Sequence, residues 1–174
     1  FTPHSAGPFH LAARFQPNVG QLQGDIFIVS PAAPRAVVDE LTMPSYVDCF
    51  RAGLFPDRAL VCEGHDPSKL SYVRDGQVTD LSSANGAVIG WARRGSALWT
   101  LGSGLTRWAS TDAGLVDTAS TSAVMRFSEV AVATDEACYG SFAPGSGTPS
   151  LLTRWVADGG QLSRQTLRSF TASD

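Results

Sequence analysis

Two arginine–tryptophan pairs, Arg107-Trp108 and Arg154-Trp155, are the residues of this chain best suited to recognition chemistry. Each closes a Leu-Thr-Arg-Trp tetrapeptide, at Leu105–Trp108 and again at Leu152–Trp155, and the two copies lie 47 residues apart. Trp91, Trp99 and Tyr72 also fall beside expected hairpins. An open aromatic face stacks on the C–H surface of a sugar, while neighbouring Arg or Asp groups hydrogen-bond its hydroxyls. Tyr72, Trp91, Trp99, Arg107, Trp108, Arg154 and Trp155 therefore form the candidate ligand-binding set. The competing role is structural, because tryptophan is mostly buried on average. Successive side chains of a strand point to opposite faces, so the Arg and the Trp of each pair part company. If the rings turn inward, the site becomes arginine-based.

Catalytic chemistry finds less to work with. Glu63-Gly64-His65-Asp66, next to Cys62, is the densest polar group and has the residue types for a metal or acid/base site. Gly64 and Pro67 give it the composition of a solvated turn instead. No Gly-x-Ser-x-Gly elbow occurs, and Gly102-Ser103-Gly104 lacks the third glycine and the Lys-Ser/Thr of a phosphate loop. A glycoside-cleaving pair could be drawn from Asp39, Glu40, Glu63, Asp66, Glu129 and Glu136, but nothing in their spacing selects two. His4 and His10 have no zinc-binding spacing. The sequence nominates no catalytic residue, no metal ligand and no cofactor.

Cys49, Cys62 and Cys138 allow one disulfide with one thiol left over. The favoured pairing is Cys49–Cys62, across a short loop that contains Gly53 and Pro56. In the chain-entropy picture such a link is worth about 3 kcal/mol. It would also place the chain in an oxidising compartment. Three buried thiols in an intracellular protein is the alternative.

The elements that must position these residues read as short strands. Residues 1–8 have the composition of an irregular arm, and Phe9–Phe15 and Asp25–Ser30 read as strands, with Gly20 and Gly24 bracketing a turn between them. Residues 31–43 are the one helix candidate, with Ser30 as cap, Pro31 at the first position and Val37, Val38 and Leu41 on one face; the competing reading is a turn at Pro31–Pro34 followed by a strand from Ala36. Tyr46–Phe50 and Ala59–Cys62 are short strands that each carry one of the favoured cysteines. Alternation on both sides of Asp75-Gly76, over Lys69–Arg74 and Gln77–Leu81, marks a hairpin. Further strands follow at Ala87–Ala92, Ala97–Leu101 and Leu105–Ala109, then a Thr/Ser/Ala-rich linker over 110–122. Strands near Val124–Phe127, Val130–Ala133, Cys138–Phe142, Leu151–Val156 and Gln161–Leu167 complete the series, with Asp158-Gly159-Gly160 as a turn.

Many short strands between Gly, Pro, Asp and Ser turns mean an all-β fold. The chain has 174 residues, enough for one compact antiparallel domain over 9–174. A β-trefoil or an antiparallel sandwich or barrel is favoured over a partial β-propeller, because four blades barely fit this length.

Charge and composition then bound the partners. The net charge is −3 and the basic residues are scattered, with Arg93-Arg94 the only close group, so no nucleic-acid stripe exists. No apolar run approaches the ~18–20 residues of a membrane span. The start at Phe1 reads as a processed or trimmed terminus.

The segment Pro8-Phe9-His10-Leu11-Ala12-Ala13-Arg14 resembles the opening of a family of small secreted fungal cell-wall proteins, which includes the phialide cell-wall protein and related IgE-binding proteins. Tyr72-Val73-Arg74-Asp75-Gly76, Gly90-Trp91 and Cys138 take the places of that family's hairpin, Gly-Trp strand and late cysteine. The resemblance implies a secreted, non-enzymatic protein of the cell surface, and it carries over no catalytic residue. The combined expectation is a secreted surface or carbohydrate-binding protein whose partner is a glycan or cell-wall polymer. The alternatives are a glycan-active hydrolase and a self-assembling structural protein.

Overall fold

The computed structural model describes residues 10–18, 21–29, 37–42, 44, 49, 51–64, 66, 68–82, 88, 90–121, 130–132, 134, 136–142 and 150–170. These residues are almost entirely β. Backbone packing divides the chain into two compact units, Phe1–Ala84 and Asn85–Asp174.

In the first unit, β1 (His10–Asn18), β2 (Gln21–Val29) and β3 (Val37–Thr42) form a three-stranded antiparallel sheet in sequence order. Two expectations are corrected here. The second strand begins at Gln21, because Asn18 pairs with Gln21 and Phe15 with Gly24; Gly24 lies within the ladder and does not bracket a turn. The helix favoured over 31–43 gives way to the competing strand reading: β3 runs from Val37 to Thr42, paired with β2 from Val29↔Val37 to Asp25↔Thr42. Adjacent β-branched residues, Val37 and Val38, fit a pleated ladder better than a helix. Beside an available edge strand, that preference overrides the Ser-Pro start signal.

The unit continues in a four-stranded meander, β4 (Arg51–Leu54), β5 (Leu60–Glu63), β6 (Leu70–Arg74) and β7 (Gln77–Asp80). Arg74 pairs with Gln77, which leaves Asp75-Gly76 as a two-residue turn. Both turn residues hold positive φ, 49° and 74°, as a type I′ turn requires. The Asp-Gly hairpin is thus as expected. The core on one face gathers Ala52, Leu60, Cys62 and Val73, with Leu54, Val78 and Cys49 against it. Cys49 is joined to Cys62 by a disulfide, with Cα atoms 5.0 Å apart. On the other face Val61, Leu70 and Tyr72 are also buried, so β5 has no solvated side.

The second unit contains two further four-stranded meanders. One is β8 (Gly90–Arg94), β9 (Ala97–Leu101), β10 (Leu105–Thr111) and β11 (Gly114–Thr121). The other is β12 (Val130–Val132), β13 (Ala137–Phe142), β14 (Ser150–Asp158) and β15 (Gln161–Phe170). They join as one eight-stranded sheet, β12-β13-β14-β15-β11-β10-β9-β8, through a single parallel bridge between Ser120 and Gln161. The sheet curls so that its ends approach and β12 lies beside β8. Ala97, Trp99, Leu101, Leu105, Cys138 and Trp155 fill the space enclosed. This is the all-β packing expected, with this sheet curled into a half-barrel.

The linker expected over 110–122 is instead the end of β10 and all of β11. Its exposed Thr, Ser and Asp positions carry the polar composition of a loop, yet Leu105↔Thr121 through Thr111↔Gly114 is a continuous ladder with one bulge. The turn at Asp158-Gly159-Gly160 is as expected, with Gly159 and Gly160 at φ 56° and 84°.

Candidate functional site

The aromatic candidates serve as core. Tyr72, Trp91, Trp99, Trp108 and Trp155 are between 0 and 9 % exposed, so none offers an open ring face. Tyr72 packs edge-on against Phe55, with centroids 5.6 Å apart. The Trp108 indole donates to Thr100 Oγ1 at 2.9 Å. Trp99 and Trp155 sit together in the enclosed core, where the Trp99 indole N–H is buried without an acceptor.

The two Leu-Thr-Arg-Trp segments occupy equivalent places, on the first strands of the long hairpins β10–β11 and β14–β15. Their side chains nevertheless face opposite ways. Trp155 pairs with Cys138 and shares the enclosed core with Trp99. Trp108 pairs with Leu98, the neighbour of Trp99, and so lies on the other face. The topology supplies the reason. The hairpins meet through β15 and β11, their second strands, which run parallel. Superposing one hairpin on the other therefore turns the sheet over.

The same inversion separates the arginines. Arg107 pairs with Trp99 and Ala119 on the enclosed face. It donates from a terminal guanidinium nitrogen to Thr118 Oγ1 at 2.7 Å, and Thr118 Oγ1 donates back to the Arg107 carbonyl at 3.0 Å. Thr118 is the extra residue of the bulge opposite Arg107 and Trp108, so Arg107 fastens the irregularity in place. Arg154 instead lies on the outer face of its hairpin, flanked in register by Tyr139 on β13 and Gln165 on β15. Its Nε is buried without a hydrogen-bond partner. Arg168, paired with Leu152, joins this face, and its guanidinium rests 5.0 Å from the centre of the Phe170 ring. Arg164 belongs to the opposite face, across from Trp155 and 5.9 Å from that ring.

The arginine-based alternative therefore has one physical location, the Arg154 face. Tyr139, Gln165 and Arg168 were missed from sequence. Their membership depends on cross-strand register, and between Leu152 and Thr153 that register shifts by a bulge. Regular alternation would have put Arg164 and Arg168 on one face. The structure separates them.

The polar cluster after Cys62 is engaged locally. Glu63 meets Arg51 at 3.5 Å. Asp66 Oδ1 accepts from the Ser68 hydroxyl at 2.6 Å and from its backbone N–H at 3.0 Å, and these two bonds hold the exposed Asp66 carboxyl below its ordinary pKa. His65 and Glu129 lie outside the described residues, and Asp39 and Glu40 are placed on β3 only by their backbone. Among the described residues no group of three or more His, Cys, Asp or Glu could hold a metal ion. Burial pushes the Cys138 thiol up to about 12, which keeps it protonated and unreactive.

No protein-family model and no curated protein matches the chain.

Proposed function

We propose that this chain is a secreted, non-catalytic protein of a cell surface or wall, and that it binds carbohydrate through the outer face of β13–β15. Arg154 carries the reading. The half-exposed Arg154 side chain, flanked in register by Tyr139 and Gln165, presents guanidinium donors on this face. Guanidinium, phenol and amide groups on one rigid strand surface match the hydroxyl and ring-oxygen pattern of a sugar. The Cys49–Cys62 disulfide supports an oxidising compartment. No described helix is long and apolar enough to cross a membrane. The likeness of residues 8–14 to secreted fungal cell-wall proteins points the same way.

A glycan array probed with the intact, oxidised protein tests the reading, with reducing-end release measured on every glycan retained. Selective retention without release supports it. Release of new reducing ends moves the protein to the hydrolase alternative, and retention of nothing removes the carbohydrate reading.

Self-assembly has an observation of its own. Val116 on β11 and Leu167 on β15 are exposed by 45 % and 44 %, and these two strands are bridged only at Ser120–Gln161 among the described residues. Unsatisfied strand edges with apolar side chains favour association. Sedimentation that is independent of concentration would dismiss it.

A further inference from the structure

We infer that the Arg154 face receives an anionic group, so that the glycan bound is an acidic one bearing carboxylate or sulfate. This rests on the carbohydrate reading and narrows it. Two of the arginines of β14–β15, Arg154 and Arg168, share the outer face. In register their partners are Tyr139, Gln165 and Leu152, none of them a carboxylate. The whole chain carries net charge −3, so a polyanion gains nothing from the molecule at large and must find a local positive site.

The two cations are prepared differently. Arg168 is held over the Phe170 ring, a contact that orders a guanidinium while leaving its edge open. Arg154 is half-buried, and its Nε is both desolvated and unpartnered. Carboxylate and sulfate oxygens answer a guanidinium with paired hydrogen bonds, here to the terminal nitrogens, since the buried Nε is closed to an incoming ligand. The Tyr139 hydroxyl and Gln165 amide are then placed for the neighbouring sugar hydroxyls. A neutral glycan would leave the charge of Arg154 unanswered.

The test is a binding titration of the intact protein against three polymers: a polyuronate, a sulfated glycan and a neutral glucan. Arg154→Gln, Arg154→Lys and Arg164→Gln are compared with the unaltered chain. Arg164 lies on the other face, so Arg164→Gln removes the same charge from a position that should not matter. The expected result is binding of one or both acidic polymers, with affinity reduced about tenfold or more by Arg154→Gln and unchanged by Arg164→Gln. Arg154→Lys keeps the charge but loses the fork, and should also bind more weakly. It decides the matter if Arg154→Gln fails to fold. The polyuronate and sulfated arms show which anion is preferred. Equal losses in Arg154→Gln and Arg164→Gln would overturn the site in favour of diffuse attraction. Binding of the neutral glucan alone would overturn this inference and leave the carbohydrate reading intact, whereas binding of none would remove both.

Discussion

Single residues show most directly how composition was divided between structure and surface. Four tryptophans suited to stacking on a sugar went into the core, because burying an indole contributes more than exposing it. Replacing Trp155 by Ala should cost about 3–5 kcal/mol, read as a lowered denaturation midpoint. Cys138 answers to the same burial. Intact, unreduced protein should give no thiol with an alkylating reagent and one thiol after unfolding, so a reactive native thiol would contradict its placement. The raised Cys138 pKa also fixes a pH response. The unfolded thiol ionises near its ordinary 9.0, while the folded one stays protonated to about 12. Above pH 9 the unfolded state has therefore released a proton that the native state retains, and stability falls as pH rises through that window. Cys138→Ala should flatten the fall in alkaline melting curves.

Elements were legible where turn chemistry announced them. Asp75-Gly76 and Asp158-Gly159-Gly160 were readable because left-handed backbone selects Gly and Asp, and the structure has both turns. Gly76 stands in open space at φ +74°, so Gly76→Ala meets no clash and should lose about 1–2 kcal/mol from backbone conformation alone. Gly76→Asn should recover part of that loss in the same melt. The segments 31–43, where a helix is favoured over a strand from Ala36, and 110–122, where a linker is expected, misled for opposite reasons. The first carried helix signals that the neighbouring strand overrode, and the second was too polar to look like a strand. Polar strands survive when only one side is covered, and β11 keeps Asp117 and Ser120 exposed. The bulges were invisible in sequence, although they decide which arginines share a face. Thr118→Val should remove both hydrogen bonds to Arg107 at a cost of about 1–2 kcal/mol, since it loosens the bulge as well as the guanidinium.

At the scale of the whole molecule, three four-stranded meanders begin at Arg51, Gly90 and Val130, and the boundary between the compact units falls between the first two. The all-β class and the Cys49–Cys62 link were accessible from sequence, because spacing of turns and of cysteines is local information. The faces were not, because they depend on how hairpins meet. Breaking the disulfide with Cys49→Ser and Cys62→Ser together should lower stability by about 3 kcal/mol, measured by chemical denaturation of oxidised protein against the double variant. The proposed binding face belongs to this scale too, since the outer face of β13–β15 joins residues of three strands. The most direct measurement is hydrogen exchange of the intact protein with and without the glycan it retains on the array. Added protection is expected to concentrate in β13, β14 and β15, around Tyr139, Arg154 and Gln165. Protection confined to β4–β7, or absent from all three strands while the glycan is bound, would contradict the proposed binding face.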